Sequence, residues 1–164
     1  MLNVSRKKFF LTAGKGSGAY QLTAFHSALV NAGMGHVNLV KLSSILPPNY
    51  EECEPYRIHE GTLTPTAFGW QGSQSPEDAG RQIAAAVAVG IPENPTKAGL
   101  IMEHHCYGTA DACEAAVREM VVEGMKLMDR EIKFIRSIAV GRNHLINDDP
   151  FGAVFAAVVL CPGL

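Results

Sequence analysis

The chain of 164 residues is 47% hydrophobic and only 18% charged, long enough for one domain with its own core and sparing enough in charge to suggest that subunits cover part of its surface. A net charge of -2, with no basic run longer than Arg6-Lys7-Lys8, leaves no electrostatic case for nucleic acid. No apolar stretch reaches transmembrane length without a polar or glycine interruption, and residues 1–6 lack the apolar core of a signal peptide, so the sequence predicts a cytoplasmic protein with no membrane partner.

In chain order, residues 7–13 read as a first strand with Phe9 and Leu11 on one face. Gly14-Lys15-Gly16-Ser17-Gly18 then reads as a flexible link to a helix. A P-loop would place Lys after the second of two glycines five apart, whereas Lys15 follows the first. Residues 20–32 are helical by pattern, with Leu22, Phe25, His26 and Leu29 at i, i+3, i+4 and i+7 and Gly33 as the stop, which puts His26 on or beside the buried stripe. Residues 36–42 are strand-like but alternate imperfectly, because Lys41 shares a face with Val37 and Leu39. Period two puts Asn38, Val40, Leu42 and Ser44 on the other face.

Residues 49–60, with Glu51, Glu52, Glu54 and Glu60, read as a solvated acidic loop. Residues 61–71 return to strand composition, with Pro65 favouring an edge or a bulge. Ser75-Pro76-Glu77-Asp78 resembles a helix start, but Val87, Val89 and Ile91 alternate and predict a strand over 82–91. Residues 99–105 follow as its hairpin partner, with Ile101 and Glu103 on one face. A helix over 109–130 carries Cys113, Ala116, Val117, Met120, Val121, Gly124, Leu127 and Met128 as its apolar stripe. Strands over 133–140 and 152–161 close a single domain of roughly six strands and two helices, an α+β or layered sandwich.

The chemistry centres on Lys41-Leu42-Ser43-Ser44-Ile45-Leu46-Pro47-Pro48, where a serine pair lies between an extended segment and a Pro-Pro stop. A serine pair alone is ordinary turn chemistry. Here the surroundings add to it. The Ser44 hydroxyl can attack the Ser43 carbonyl to form an ester. Elimination and hydrolysis then leave a chain ending in the Ser43 carboxylate and a second chain beginning with a pyruvoyl group made from Ser44. That ketone can condense with a substrate amine and accept electrons as carbon dioxide leaves. The run from His36 through Pro48, with Pro65-Thr66-Ala67-Phe68-Gly69 and Gly99-Leu100-Ile101-Met102-Glu103, resembles the pyruvoyl-dependent arginine decarboxylase family, and the likeness extends from about Phe9 to Cys161.

The resemblance implies a four-layer α-β-β-α sandwich, assembled as a trimer or dimer of trimers of self-cleaved protomers, with chains 1–43 and 44–164 and active sites between subunits. It implies a carboxy-lyase that turns arginine into agmatine with no cofactor beyond the pyruvoyl group. Agmatine could serve polyamine biosynthesis or acid resistance. Glu103 matches the family's general acid, and its apolar neighbours Leu100, Ile101 and Met102 would favour the protonated form. Asn38 matches an asparagine near the cleavage serine and could hold the Ser43 carbonyl or the later pyruvoyl carbonyl.

The substrate clamp departs from the family. His26 stands where an aspartate receives the guanidinium, and imidazole lacks the negative charge and paired acceptors of a carboxylate. Either another acid such as Glu60 or one from a neighbouring subunit takes over, or the substrate is a different amino acid, or activity is weak; a non-catalytic oligomeric partner with the same fold is a further alternative. Cys53, Cys106, Cys113 and Cys161 form no Cys-x-x-Cys pair and read as reduced thiols. Glu103-His104-His105-Cys106 with Cys113 contains ligand types, but adjacent strand residues face opposite sides and no standard spacing is present, so no metal is expected.

Overall fold

The structure, a computed structural model, describes residues 7–78, 80–143 and 149–162; residues 1–6, read above as lacking a signal peptide, lie outside them. Among the described residues, nine strands form two sheets. The first sheet has the order β2 (Asn38–Lys41), β5 (Leu63–Gly72), β9 (Phe151–Leu160), β1 (Lys8–Gly18) and β4 (Glu51–Glu52). The second runs β3 (Ile45–Leu46), β7 (Gly99–Tyr107), β6 (Gln82–Pro92) and β8 (Ile132–Asn143). Helix α1 (Gln21–Asn31) lies on the first sheet and α2 (Ala110–Leu127) on the second.

Strand alternation builds three apolar layers. Phe9, Ala67, Val154, Ala156 and Val158 meet Ile83, Ala85, Val87, Val89 and Ile101 between the sheets. Phe10, Phe155, Ala157 and Val159 pack against Ala24, Ala28 and Leu29 of α1, and Ala84, Ala86 and Ala88 pack against Cys113, Val117, Val121 and Met125 of α2. The chain is thus an α+β sandwich with a helix outside each sheet. Strands β6 and β9 are covered on both faces, so they read as unbroken Ala/Val runs rather than polar alternation. No helix among the described residues is long and apolar enough to cross a membrane.

Several expectations need correction. The glycine run after Ala13 is no flexible link; β1 continues through it and pairs with β9 as far as Gly18↔Phe151. Its glycines admit α1 against the strand: a Cβ on Gly14 would lie 2.3 Å from the Ala28 carbonyl oxygen, and one on Gly16 would lie 2.6 Å from the Ala28 nitrogen. The facing stripe of α1 is correspondingly small, Ala24, Ala28 and Ala32 with Phe25 and Leu29, while Leu22 is 75% exposed and His26 is exposed.

The acidic loop is exposed as expected, but it also contributes β4, parallel to β1, and two of its acids pair across it: Glu51 with Lys8 at 2.6 Å and Glu52 with Arg136 at 2.8 Å. Pro65 lies in an interior strand, where its missing donor is harmless because the β5–β9 ladder begins one residue later at Thr66↔Val159. On α2, Thr109 caps the helix by accepting from the Ala112 N–H at 3.2 Å, and Leu127, assigned to the buried stripe, is 83% exposed. The hairpin of β6 and β7 forms in antiparallel register from Gly90↔Leu100 to Ile83↔Tyr107.

Candidate active site

The chain crosses from one sheet to the other at the serine pair. Strand β2 ends at Lys41 in the first sheet, and β3 begins at Ile45 in the second. The crossing is pinned on both sides: the Leu42 N–H donates to the Thr66 carbonyl of β5 at 2.9 Å, and the Ser44 carbonyl accepts from the Ile101 N–H of β7 at 2.6 Å. Between these anchors Ser43 is exposed and Ser44 half-buried. The peptide joining them therefore bridges the two sheets.

Glu103 lies two residues beyond Ile101 on the same strand and so faces the first sheet with it. Gly69 of β5 lies opposite, and a Cβ there would stand 3.5 Å from the Glu103 Cβ. The expected apolar surroundings of Glu103 are interrupted by Lys41, whose Nζ sits 3.0 Å from Oε1, donates to the Phe68 carbonyl at 3.0 Å and lies 4.4 Å from the Phe68 ring centre. The pair is partly solvated, so its worth to stability is at most about 1 kcal/mol; its effect is to hold one carboxylate oxygen in place. The other oxygen, Oε2, is buried and has no hydrogen-bond partner among the described residues. Buried oxygens are seldom left so.

Lys41 is the residue that the sequence reading left without a role. Its signal was present as the charge that spoils the alternation of residues 36–42. Asn38, by contrast, is not delivered to Ser44 within one chain: its amide donates to the Gly61 carbonyl at 2.9 Å, at the far end of β2 from Lys41. His26 is exposed on α1, in the outer layer, away from the inter-sheet face that holds Glu103. Glu60 is also exposed and pairs with Arg57 at 2.8 Å. The clefts beside Gln82 and Thr109, Ser27 and Asn31, Glu54 and Ser137, and Trp70 and Gln74, of about 330 to 580 Å³, do not include Ser43, Ser44 or Glu103.

The thiols and histidines group differently from their order in sequence. His104 and His105 face opposite sides, as adjacent strand residues must, but the alternate pair His104 and Cys106 shares a face with Cys113 of α2, and their ligand atoms lie within 4.8 Å of one another. The spacing argument missed this because the third residue arrives from another element. Cys53 and Cys161 also approach, with sulfurs 3.7 Å apart. All four cysteines are free thiols.

A family model described as pyruvoyl-dependent arginine decarboxylase matches residues 8–163. Curated proteins bearing that name are similar over most of their length. The protein of Methanococcus vannielii is 39% identical over 150 residues, covering 92% of this chain and 87% of the relative. That of Pyrococcus abyssi is 40% identical over 158 residues, covering 95% and 96%, and that of Methanocaldococcus jannaschii is 40% identical over 150 residues, covering 92% and 87%.

Proposed function

The chain belongs to the pyruvoyl-dependent arginine decarboxylase family, and from that premise we propose that it is a self-processing carboxy-lyase converting L-arginine to agmatine and carbon dioxide. The observation that carries the reading is the position of the Ser43–Ser44 peptide, pinned to both sheets beside the strands that join Lys41 to Glu103.

The residues present suit a covalent pyruvoyl group. Ser44 Oγ attacks the Ser43 carbonyl, and its amide nitrogen leaves as the ester forms. Elimination releases the Ser43 carboxylate, and hydrolysis releases the former Ser44 nitrogen as ammonia, dividing the domain into chains 1–43 and 44–164. The Ser44 carbonyl survives this chemistry, so the bond from the Ile101 N–H would continue to anchor the new terminus. Once formed, the group supplies a ketone for the substrate amine and a sink for the electron pair left by carbon dioxide.

Glu103 is assigned as general acid: Lys41 holds Oε1, which leaves Oε2 as the oxygen that would deliver a proton to the substrate Cα. Ser43 contributes its new carboxylate to the substrate-binding wall. Asn38 and His26 are assigned to sites completed across subunit boundaries in a trimer, His26 standing at the guanidinium end and Asn38 orienting the cleaved ends. Support for a covering neighbour comes from Val40 and Ile45, apolar residues on either side of the crossing that are 44% and 46% exposed.

Mass measurement under denaturing conditions tests the processing, with Ser44→Ala beside the wild type. Wild-type protein should give two chains divided between Ser43 and Ser44, the second with a blocked, carbonyl-bearing terminus, and should release carbon dioxide from arginine. The variant should stay intact and inactive. Turnover by an intact wild-type chain, or turnover surviving in Ser44→Ala, would defeat the reading.

A further inference from the structure

We propose that His104, Cys106 and Cys113 form a binding site for a zinc-class divalent cation, between α2 and β7 and on the face of β7 opposite Glu103. Alternation along β7 makes the two faces chemically distinct. Glu103 and His105 face the first sheet, where His105 Nδ1 lies 3.0 Å from Gln71 Oε1. Met102 and Cys106 pack into the layer under α2, and His104 falls on that same face by period. Cys113 comes from the first turn of α2, 1% exposed, to complete a set of one imidazole and two thiols within 4.8 Å of one another.

The geometry and the chemistry agree. Tetrahedral zinc with bonds of about 2.3 Å to sulfur and about 2.0–2.1 Å to nitrogen separates its ligands by roughly 3.5–3.8 Å. The three side chains need close by only about 1 Å, within the reach of rotamer adjustment. Two thiolates and a neutral imidazole around a divalent ion give a complex of zero net charge, which a half-buried helix–sheet seam tolerates far better than an isolated ion. Present partners are weak or lacking. The Cys113 thiol donates only to the His104 carbonyl, at 3.4 Å, and no hydrogen bond among the described residues engages the His104 imidazole.

A cation would take both cysteines as thiolates, so loading should be accompanied by proton release. Three protein ligands leave a fourth position for water. Because the site faces away from Glu103, it ties the start of α2 to β7 without entering the decarboxylation chemistry, and it stands whether or not arginine is the substrate.

The test uses the full chain, reduced and stripped of metal, titrated with Co²⁺ and then with Zn²⁺. One Co²⁺ per chain should bind with tetrahedral visible bands and a thiolate charge-transfer band, with proton release, and Zn²⁺ should displace it. Cys106→Ser, at a half-buried position that tolerates the change better than Cys113, should abolish the charge-transfer band. His104→Ala should weaken binding and alter the visible bands, while His105→Ala should match wild type. The proposal is overturned if no charge-transfer band develops, or if the band persists unchanged in Cys106→Ser.

Discussion

Glu103 joins two conditions that a proton donor needs, an orientation set by Lys41 through Oε1 and a second oxygen screened from water. Glu103→Gln keeps the shape and the acceptor for Lys41 but removes the acid. Self-cleavage should proceed, while carbon dioxide release falls by about 10²–10⁴-fold, the usual contribution of general acid catalysis. Loss of cleavage together with turnover would instead place Glu103 in processing. At His26 the expectation runs the other way. His26→Asp supplies a carboxylate, and charge-assisted bonds worth about 1.5–3 kcal/mol should raise kcat/KM for arginine by roughly 10–100-fold. Strong wild-type turnover that drops in this variant would show that imidazole already completes the guanidinium site.

The link between β5 and β6 is organised by one carboxylate at the end of a short 3₁₀ turn, Pro76–Asp78. Asp78 accepts from the Gln74 N–H at 2.8 Å, the Ser75 N–H at 3.3 Å, Arg81 at 3.0 Å and the Tyr107 hydroxyl at 3.2 Å. The Arg81 guanidinium also stacks 3.6 Å over the Tyr107 ring. The Gln74 N–H foremost holds the Asp78 carboxyl below its ordinary value against the cost of desolvation, with Arg81, the Ser75 N–H and the Tyr107 hydroxyl adding to it. A carboxyl lowered in the folded state stabilises above its unfolded pKa, about 3.9, and that contribution disappears as pH falls through the folded value. Asp78→Asn should therefore unfold in less urea than wild type at pH 7, with the gap closing below about pH 4. A gap that stays constant across this range would mean that the side chain acts by shape alone. The sequence marked this stretch as a helix start, and the single turn that forms is as much of that helix as the Asp78 contacts allow before β6 begins.

The two products of the proposed cleavage would not part easily. Residues 1–43 supply β1, α1 and β2, and β1 lies inside the first sheet between β9 and β4 with a ladder to β9 from Phe9↔Leu160 to Gly18↔Phe151. Both new ends would stay pinned to different sheets through the Leu42 and Ser44 hydrogen bonds. Processed protein should thus elute under native conditions as one species containing both chains, which separate only in denaturant; loss of the smaller chain in native buffer would contradict this interlocked arrangement. Locally determined features were legible in the sequence. The β6–β7 hairpin, the second helix and the closing strand follow from side-chain direction over a few residues, and the serine pair and Glu103 stood out through their motifs. What only the tertiary structure decided are meetings across elements: Lys41 with Glu103, Cys113 with His104 and Cys106, and the glycines of β1 with α1. Periodicity sets which face a side chain takes but carries no information about which strand or helix will lie against that face, because that choice belongs to sheet order and layer stacking.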